Sequence, residues 1–377
     1  MISQAAAAWQ WFNYYSREVQ PGKQILRINL DETSVCLFQG DRKGTVFVHK
    51  KRLREDEPVQ RIPRWKRRCC LTHIAVICDS PELQPLMPQV LVGNEATFLS
   101  SGLAALRAAC PGNVRLVRQK SAWNNNAGLC AWVVQLLALA LRPHLHRLQP
   151  VLLLDAVRIH FAKAVLCACR AGGIWPLLVP ARTTWLLQPL DTHSFLRYKA
   201  YLRDAYQRAR VESGCADLSI QQFLMCVCDT IRHVLQGQDW ANAFDKDGFG
   251  CRQSGLSTYA MRQLRLDAPP SAPETRPSDE QLKVCFPKRT NIPVSTLWRP
   301  FDPSPSVDSV AGARRLVRQL PRAAVPQVLG RTRLQTRIAL ANSAEAVAVP
   351  SGGAEATGIA VARAHRLPRA KAVAIGM

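Results

Sequence analysis

Val151-Leu152-Leu153-Leu154-Asp155 is an unbroken apolar run that ends on a carboxylate. A strand buried on both faces of a parallel sheet reads this way, without polar alternation. Working outward, residues 161–171 have helical spacing and stop at Gly172-Gly173, a C-terminal glycine signal. Residues 174–179 are a second continuous apolar strand. Pro189 stands where a helix can start, and residues 190–210 carry helical spacing with a polar, basic face. Upstream, residues 126–141 are apolar at helical period. Further back the period is that of strands. Residues 25–30 and 34–38 form a first run, 39–44 a hairpin loop and 45–49 a return strand. A third strand covers 71–78 and turns at Asp79-Ser80-Pro81, and a fourth covers 88–92. An antiparallel meander followed by β-α-β-α predicts an α/β fold, a mixed sheet flanked by helices.

The composition divides the chain of 377 residues. Residues 1–21 precede the first strand as an N-terminal extension, 22–206 carry the core, and 207–266 are helical and mixed. Ala268-Pro269-Pro270-Ser271-Ala272-Pro273 opens a Pro-, Ala- and Arg-rich stretch, so 267–377 is expected to be a largely disordered basic tail with one helix near 310–320. Lys and Arg total 50 against 27 acidic residues, a formal net charge of +23, which points to a polyanionic partner. Nucleic acid comes first and an anionic membrane surface second.

Other classes drop out. No stretch approaches the ~20 apolar residues that cross a bilayer. The longest apolar run, 129–141, is interrupted by Gln135 and stopped by Arg142-Pro143. The N-terminus lacks the basic and apolar regions of a secretory signal. The 13 cysteines are scattered and odd in number. Their close groups, Cys69-Cys70, Cys167/Cys169 and Cys226/Cys228, lack C-x-x-C spacing. Unpaired thiols in a reducing compartment are expected, rather than a disulfide framework or a zinc site.

Three aspartates occupy special places. Asp31 follows the first strand, Asp155 closes the first buried strand of the second half, and Asp191 lies in the first turn of the next long helix. If the first strand and the 151–155 strand are neighbours, their ends bring Asp31 and Asp155 together, and the helix start brings Asp191 over them. Close like charges repel, so such a cluster calls for a cation. Hard carboxylate oxygens suit Mg²⁺ or Mn²⁺. Two ions ~4 Å apart serve phosphoryl transfer by activating the attacking oxygen and stabilising the leaving one. No general-base side chain is then needed. Each Asp also has a plainer reading as a cap or a full stop to its element.

Leu30-Asp31-Glu32-Thr33-Ser34 resembles the first-strand motif of the mariner/pogo-type DDE transposases. VLLLDAVRIH, residues 151–160, resembles the second, with His160 five residues after its Asp. LLQPLDTHSFLRYK, residues 186–199, is the strongest match and aligns Gln188, Pro189, Leu190, Asp191, Phe195 and Lys199 with the third. The resemblance spans about residues 25–250 and includes weaker agreement at Pro88–Val92, Ser121-Ala122-Trp123-Asn124, Trp132, Trp240 and Gly248-Phe249. It implies an RNase H-like catalytic core. It also implies DNA strand cleavage and joining with two Mg²⁺ or Mn²⁺ ions on Asp31, Asp155 and Asp191, and a homodimer, since transposition pairs two ends. Asp191, Phe195 and Lys199 are four apart and fall on one helix face, with Phe195 on the sheet and Lys199 offering a cation to phosphate. His160, Gln188 and Phe195 are supporting residues.

Two departures accompany the match. Where the family has Asn after the second Asp, this chain has Ala156-Val157. About two dozen residues precede the first strand, too few for the family's helix-turn-helix readers, so a catalytic core without its sequence reader is expected. The alternative is a catalytically inactive, host-adopted nucleic-acid-binding protein.

The densest basic runs are His49-Lys50-Lys51-Arg52-Leu53-Arg54 and Arg64-Trp65-Lys66-Arg67-Arg68. Lys50, Lys51, Arg52, Arg64, Lys66, Arg67 and Arg68, with Lys199, are the expected phosphate contacts. The same two runs read equally as a two-part nuclear import signal, which predicts the nucleus, or as a solvated loop. His193 is expected to be an ordinary core or surface histidine.

Overall fold

β1 (Gln24–Cys36) runs through the middle of a six-stranded sheet. The computed structural model describes residues 1–36, 69–122, 128–129, 134–157, 159–160, 162–214, 217–250, 256–268, 270–278 and 280–281. All belong to one compact unit, Met1–Ala324. β2 (Cys69–Cys78) lies antiparallel to β1, and β3 (Gln89–Asn94) antiparallel to β2. Helix α2 (Leu103–Ala109) crosses over to β4 (Val114–Gln119), which pairs parallel with β3 at one edge. On the other side of β1, β5 (Leu148–Asp155) and β6 (Trp175–Val179) run parallel to it and to each other. The order is β4-β3-β2-β1-β5-β6, with β2 alone reversed. This is the α/β, RNase H-like mixed sheet flanked by helices that the resemblance implied.

The remaining elements cover that sheet. They are α1 (Ile2–Glu18), α3 (Gln135–Leu141), α4 (Lys163–Ala171), α5 (Thr184–Leu187), α6 (Phe195–Ser213), α7 (Ile220–Thr230), α8 (Ala241–Phe244) and α9 (Thr258–Leu264). Three widened turns interrupt or extend them, at Leu190–Ser194, Ile231–Gln236 and Asp245–Phe249. β5 is apolar on both faces because helices lie on both: Val151, Leu152, Leu153 and Leu154 are all buried. α7 begins with a reciprocal capping box between Ser219 and Gln222.

β4 has no counterpart among the expected strands. VRLVRQ mixes apolar and basic residues because an edge strand has one wet side, so it shows neither a full apolar run nor a clean alternation. The hairpin loop at 39–44, the return strand at 45–49, most of 126–133 and the helix near 310–320 lie outside the described residues. The position 206, where the core was expected to give way to a helical part, falls inside α6. Residues 270–278, in the stretch expected as tail, reach α1: Asn13 Nδ2 donates to Ala272 O (3.0 Å) and Gln10 Nε2 to Thr275 O (3.2 Å).

α1 itself, in the stretch set apart as an extension, is integral to the core. Ala5, Ala8, Trp9, Trp11, Phe12 and Tyr15 are buried. Tyr15 donates its hydroxyl to Pro176 O of β6 (2.9 Å), and Phe12 meets Phe249 edge to face at 5.6 Å between centroids.

α6 is fastened to the sheet by a buried polar relay. Tyr198 OH donates to His73 Nδ1 (3.1 Å), and His73 Nε2 donates to Gln89 Oε1 (3.0 Å). Gln89 in turn holds the backbone of Val76 through both its amide atoms. Burial, only partly offset by the bond to Gln89, pushes the His73 imidazole down to about 4 from 6.5. Folded His73 therefore stays neutral where the unfolded chain takes up a proton, so stability falls as pH drops from 6.5 toward 4. The loss should be about 3 kcal/mol across that window. Urea midpoints at pH 7 and pH 5 should differ in the wild type and nearly coincide in His73→Gln; equal slopes for both proteins would contradict the assignment.

Candidate active site

The parallel register of β1 and β5 pairs Asn29 with Leu153. Carried two residues on, the same register sets Asp31 opposite Asp155. Asp191 arrives from the third side, in the widened turn Leu190–Ser194 that precedes α6. Such turns break helical regularity and recur at functional sites.

The three carboxylates feel one another. Asp31 is buried (9% exposed), and its carboxyl is pushed well above the ordinary range, first by desolvation and then by the charges of Asp191 and Asp155. One bond opposes this: Asp31 Oδ1 accepts from Glu32 N (2.7 Å). Asp191 keeps solvent access, yet its carboxyl is also raised, by desolvation and by Asp155. Bonds to Thr184 and Asp31 and the charge of Lys199 pull it back.

Asp155 is held differently. His160 Nδ1 donates to its carboxylate and reaches its carbonyl oxygen at 3.3 Å. His160 Nε2 lies 3.7 Å from Glu32 Oε1, an ion-pair distance. Burial works against the imidazolium, but Asp155 and Glu32 outweigh it and hold His160 up to about 10. His160 is thus a resident cation within the acidic cluster.

The other expected site residues fall into place around this group. Phe195 is buried in the core, while Asp191 and Lys199 are exposed. The widened turn changes the angular step, so the three do not share the one face that ideal spacing predicts. Gln188 is fully buried, and its backbone carbonyl accepts from Asp191 N (2.9 Å) and Thr192 N (3.0 Å). Lys50, Lys51, Arg52, Arg64, Lys66, Arg67 and Arg68 lie outside the described residues.

Four residues that the motifs did not single out complete the site. Glu32 and Thr184 touch the cluster as described. Asn29 is fully buried; it accepts from Leu190 N (2.8 Å) and donates to Leu153 O (3.2 Å). Asp247 is buried and accepts from Thr192 Oγ1 (2.7 Å) and from His193 Nε2 (2.9 Å). His193 is thus a half-buried histidine tied to Asp247. Asp247 O accepts in turn from Trp9 Nε1 of α1 (3.1 Å). The backbone turns away at Gly248 with φ 90°, where an added Cβ would fall 2.2 Å from Trp9 Nε1. A chain of contacts thus runs from α1 through Asp247 to the two residues after Asp191. A sequence signal existed for Asn29 alone: a polar side chain inside an apolar strand, two residues before a carboxylate.

Among the described residues, no group of three or more His, Cys, Asp and Glu side chains stands ready to hold a metal ion. His160 already occupies one side of the Asp155 carboxylate. The donor chemistry still fits a hard divalent cation, because three mutually repelling carboxylates are oxygen ligands whose cost a cation relieves.

Fold and site together define an α/β protein with an acidic cluster where the end of β5 meets the middle of β1. No family model matches the chain, and no curated protein matches it. Among solved structures, the chain is similar to the Mos1 transposase in its paired-end complex with the left transposon end. That likeness has 14% identity and a TM-score of 0.33, over 67% of this chain and 63% of that one. Among the described residues, no helix is long and apolar enough to cross a membrane.

Proposed function

We propose that this chain is a DDE-type, transposase-derived endonuclease that cleaves and joins DNA phosphodiesters. The observation that carries the reading is the convergence of Asp31, Asp155 and Asp191, with two of the three carboxyls raised by burial and by one another. Asp31, Asp155 and Asp191 would hold two Mg²⁺ or Mn²⁺ ions. When bound, the ions would supply Lewis-acid activation of the phosphate and of the attacking oxygen, water for cleavage or a 3′-hydroxyl for joining. The chain's own residues do the rest. Lys199, exposed and within electrostatic reach of Asp191, draws a phosphate to the cluster. His160 neutralises Asp155 and holds a proton at Nδ1. The buried Asn29, Gln188 and Asp247 fix the segment that carries Asp191.

The basic runs at 49–54 and 64–68 would bind the DNA backbone by releasing counterions, so affinity should fall steeply with salt. Read as a two-part import signal, the same runs would take the protein to the nucleus, and the pairing of two DNA ends would require a second copy of the chain as partner. A second reading, a DNA-binding protein without catalysis, is favoured by one observation: His160 already fills a cationic place beside Asp155.

Supercoiled plasmid incubated with the protein in Mg²⁺, Mn²⁺ or EDTA separates the two. Nicking that needs metal and is absent from Asp155→Ala is the expected result. Salt-sensitive DNA binding without nicking, equal in wild type and Asp155→Ala, would establish the binding protein instead.

A further inference from the structure

Asn29 sits at the point where three separate pieces of backbone meet. Its side chain belongs to β1, its Nδ2 holds the carbonyl of Leu153 in β5, and its Oδ1 takes the amide of Leu190. Each neighbouring residue or near neighbour along those pieces is a member of the cluster: Asp31 in β1, Asp155 in β5 and Asp191 beside Leu190. The side chain is fully buried, so no water replaces either bond. Leu190 N is one of the unpaired donors that the first turn of a helical segment leaves, and within the structure this acceptor comes from another element. Asp191 is otherwise the freest of the three carboxylates, carried on a turn rather than a strand.

We infer that Asn29 is the positioning residue that holds Asp191 in register with Asp31 and Asp155 and thereby sets the affinity of the cluster for divalent metal. The inference rests on the phosphoryl-transfer reading, which supplies the metal. It says that the amide acts through Leu190 and touches neither substrate nor ion. Residues that orient ligating groups in this way are worth about ten- to a hundred-fold in metal affinity.

The test compares Asn29→Ala and Asn29→Gln with Gln149→Ala in the full chain. Gln149 is a buried amide at the far end of β5; it donates to Gly173 O (3.0 Å) and has no contact with the cluster. It controls for the loss of a buried polar bond as such. Asn29→Gln keeps both amide atoms but displaces them by one methylene, so it tests placement where Asn29→Ala fails to fold. Mn²⁺ affinity is read by calorimetry, and hydrogen exchange over residues 188–194 is read on the metal-free protein.

Both Asn29 variants should bind Mn²⁺ about ten-fold or more weakly and exchange faster over 188–194, with Gln149→Ala unchanged in both. Plasmid nicking should then lose kcat with KM for DNA unchanged. Unaltered Mn²⁺ affinity and exchange in the Asn29 variants would overturn the inference, as would an equal loss in Gln149→Ala. A wild type that binds no Mn²⁺ would overturn the metal reading and the affinity claim, and the exchange data would still decide whether Asn29 holds Asp191 in place.

Discussion

Asp31→Asn is expected to raise the melting temperature of the metal-free protein by a few degrees while reducing metal-dependent nicking about a thousand-fold or more. The two effects have one cause. Asp31 lies on the central strand, nearly enclosed, beside two further carboxylates. Its folded carboxyl titrates well above the unfolded value of 3.8, so the folded state keeps a proton that the unfolded state has released. Stability is then lost as pH rises above the unfolded value, the opposite of a salt-bridged aspartate. Asparagine has nothing to ionise, so the repulsion disappears at neutral pH. It also supplies no charge to hold a cation. Addition of Mg²⁺ should raise the melting temperature of the wild type, because a ligand that binds only the folded state stabilises it, and should leave Asp31→Asn nearly unmoved. A variant less stable than wild type without metal would show that repulsion at Asp31 is not what the fold carries.

Arg27→Ala should cost about 3–5 kcal/mol, the largest single loss expected from the chain. Arg27 lies four residues before Asp31 in β1 and is 8% exposed. Its guanidinium donates to Asp79 Oδ2 (2.5 Å) just after β2, to the Asp245 carboxylate, and to Phe249 O (2.8 Å). It also lies 5.4 Å from the centre of the Phe244 ring. Removing it leaves Asp79 buried without its cation; desolvation already raises that carboxyl, and Arg27 is what lowers it. Arg27→Lys should recover only part of the loss, because one ammonium cannot reproduce the fork. Urea denaturation of both variants checks this, and Arg27→Ala combined with Asp79→Asn should lose less than the two singles summed. A loss below about 1 kcal/mol for Arg27→Ala would place the pair among the exposed, inconsequential ones.

β5 and β6 stand out from composition alone because burial on both faces leaves no polar residue to interrupt them. Their boundaries fall within a residue of those expected at three of the four ends and further away at the start of β5, which begins at Leu148 where Gln149 and Pro150 hide it. β4 was invisible for the reason already given, an edge strand with a basic outer side. α1 went unnoticed as part of the core because its apolar face is built from alanines and aromatics, and nothing local says which sheet they meet. Asp155 was legible as the end of a strand and Asp191 as the start of a helical turn, whereas Asp31, expected after the first strand, lies within β1, which runs on to Cys36. Their mutual closeness followed only if β1 and β5 were neighbours, and that pairing joins residues more than a hundred positions apart.

Read along the chain, residues report how much of each side chain is buried, and hence the period of each element and the places where a carboxylate ends one. That is why the mixed sheet and Asp31, Asp155 and Asp191 were accessible without coordinates. Polar partners are another matter. Asn29 to Leu190, His160 between Asp155 and Glu32, and Trp9 to Asp247 to Thr192 all join separate elements. A hydrogen bond needs its two atoms within about 3 Å, and periodicity carries no information about which distant strand or helix supplies the second atom. Packing of α1 and the Asp245–Phe249 turn against the sheet selects those partners, and with them the place of Asp191.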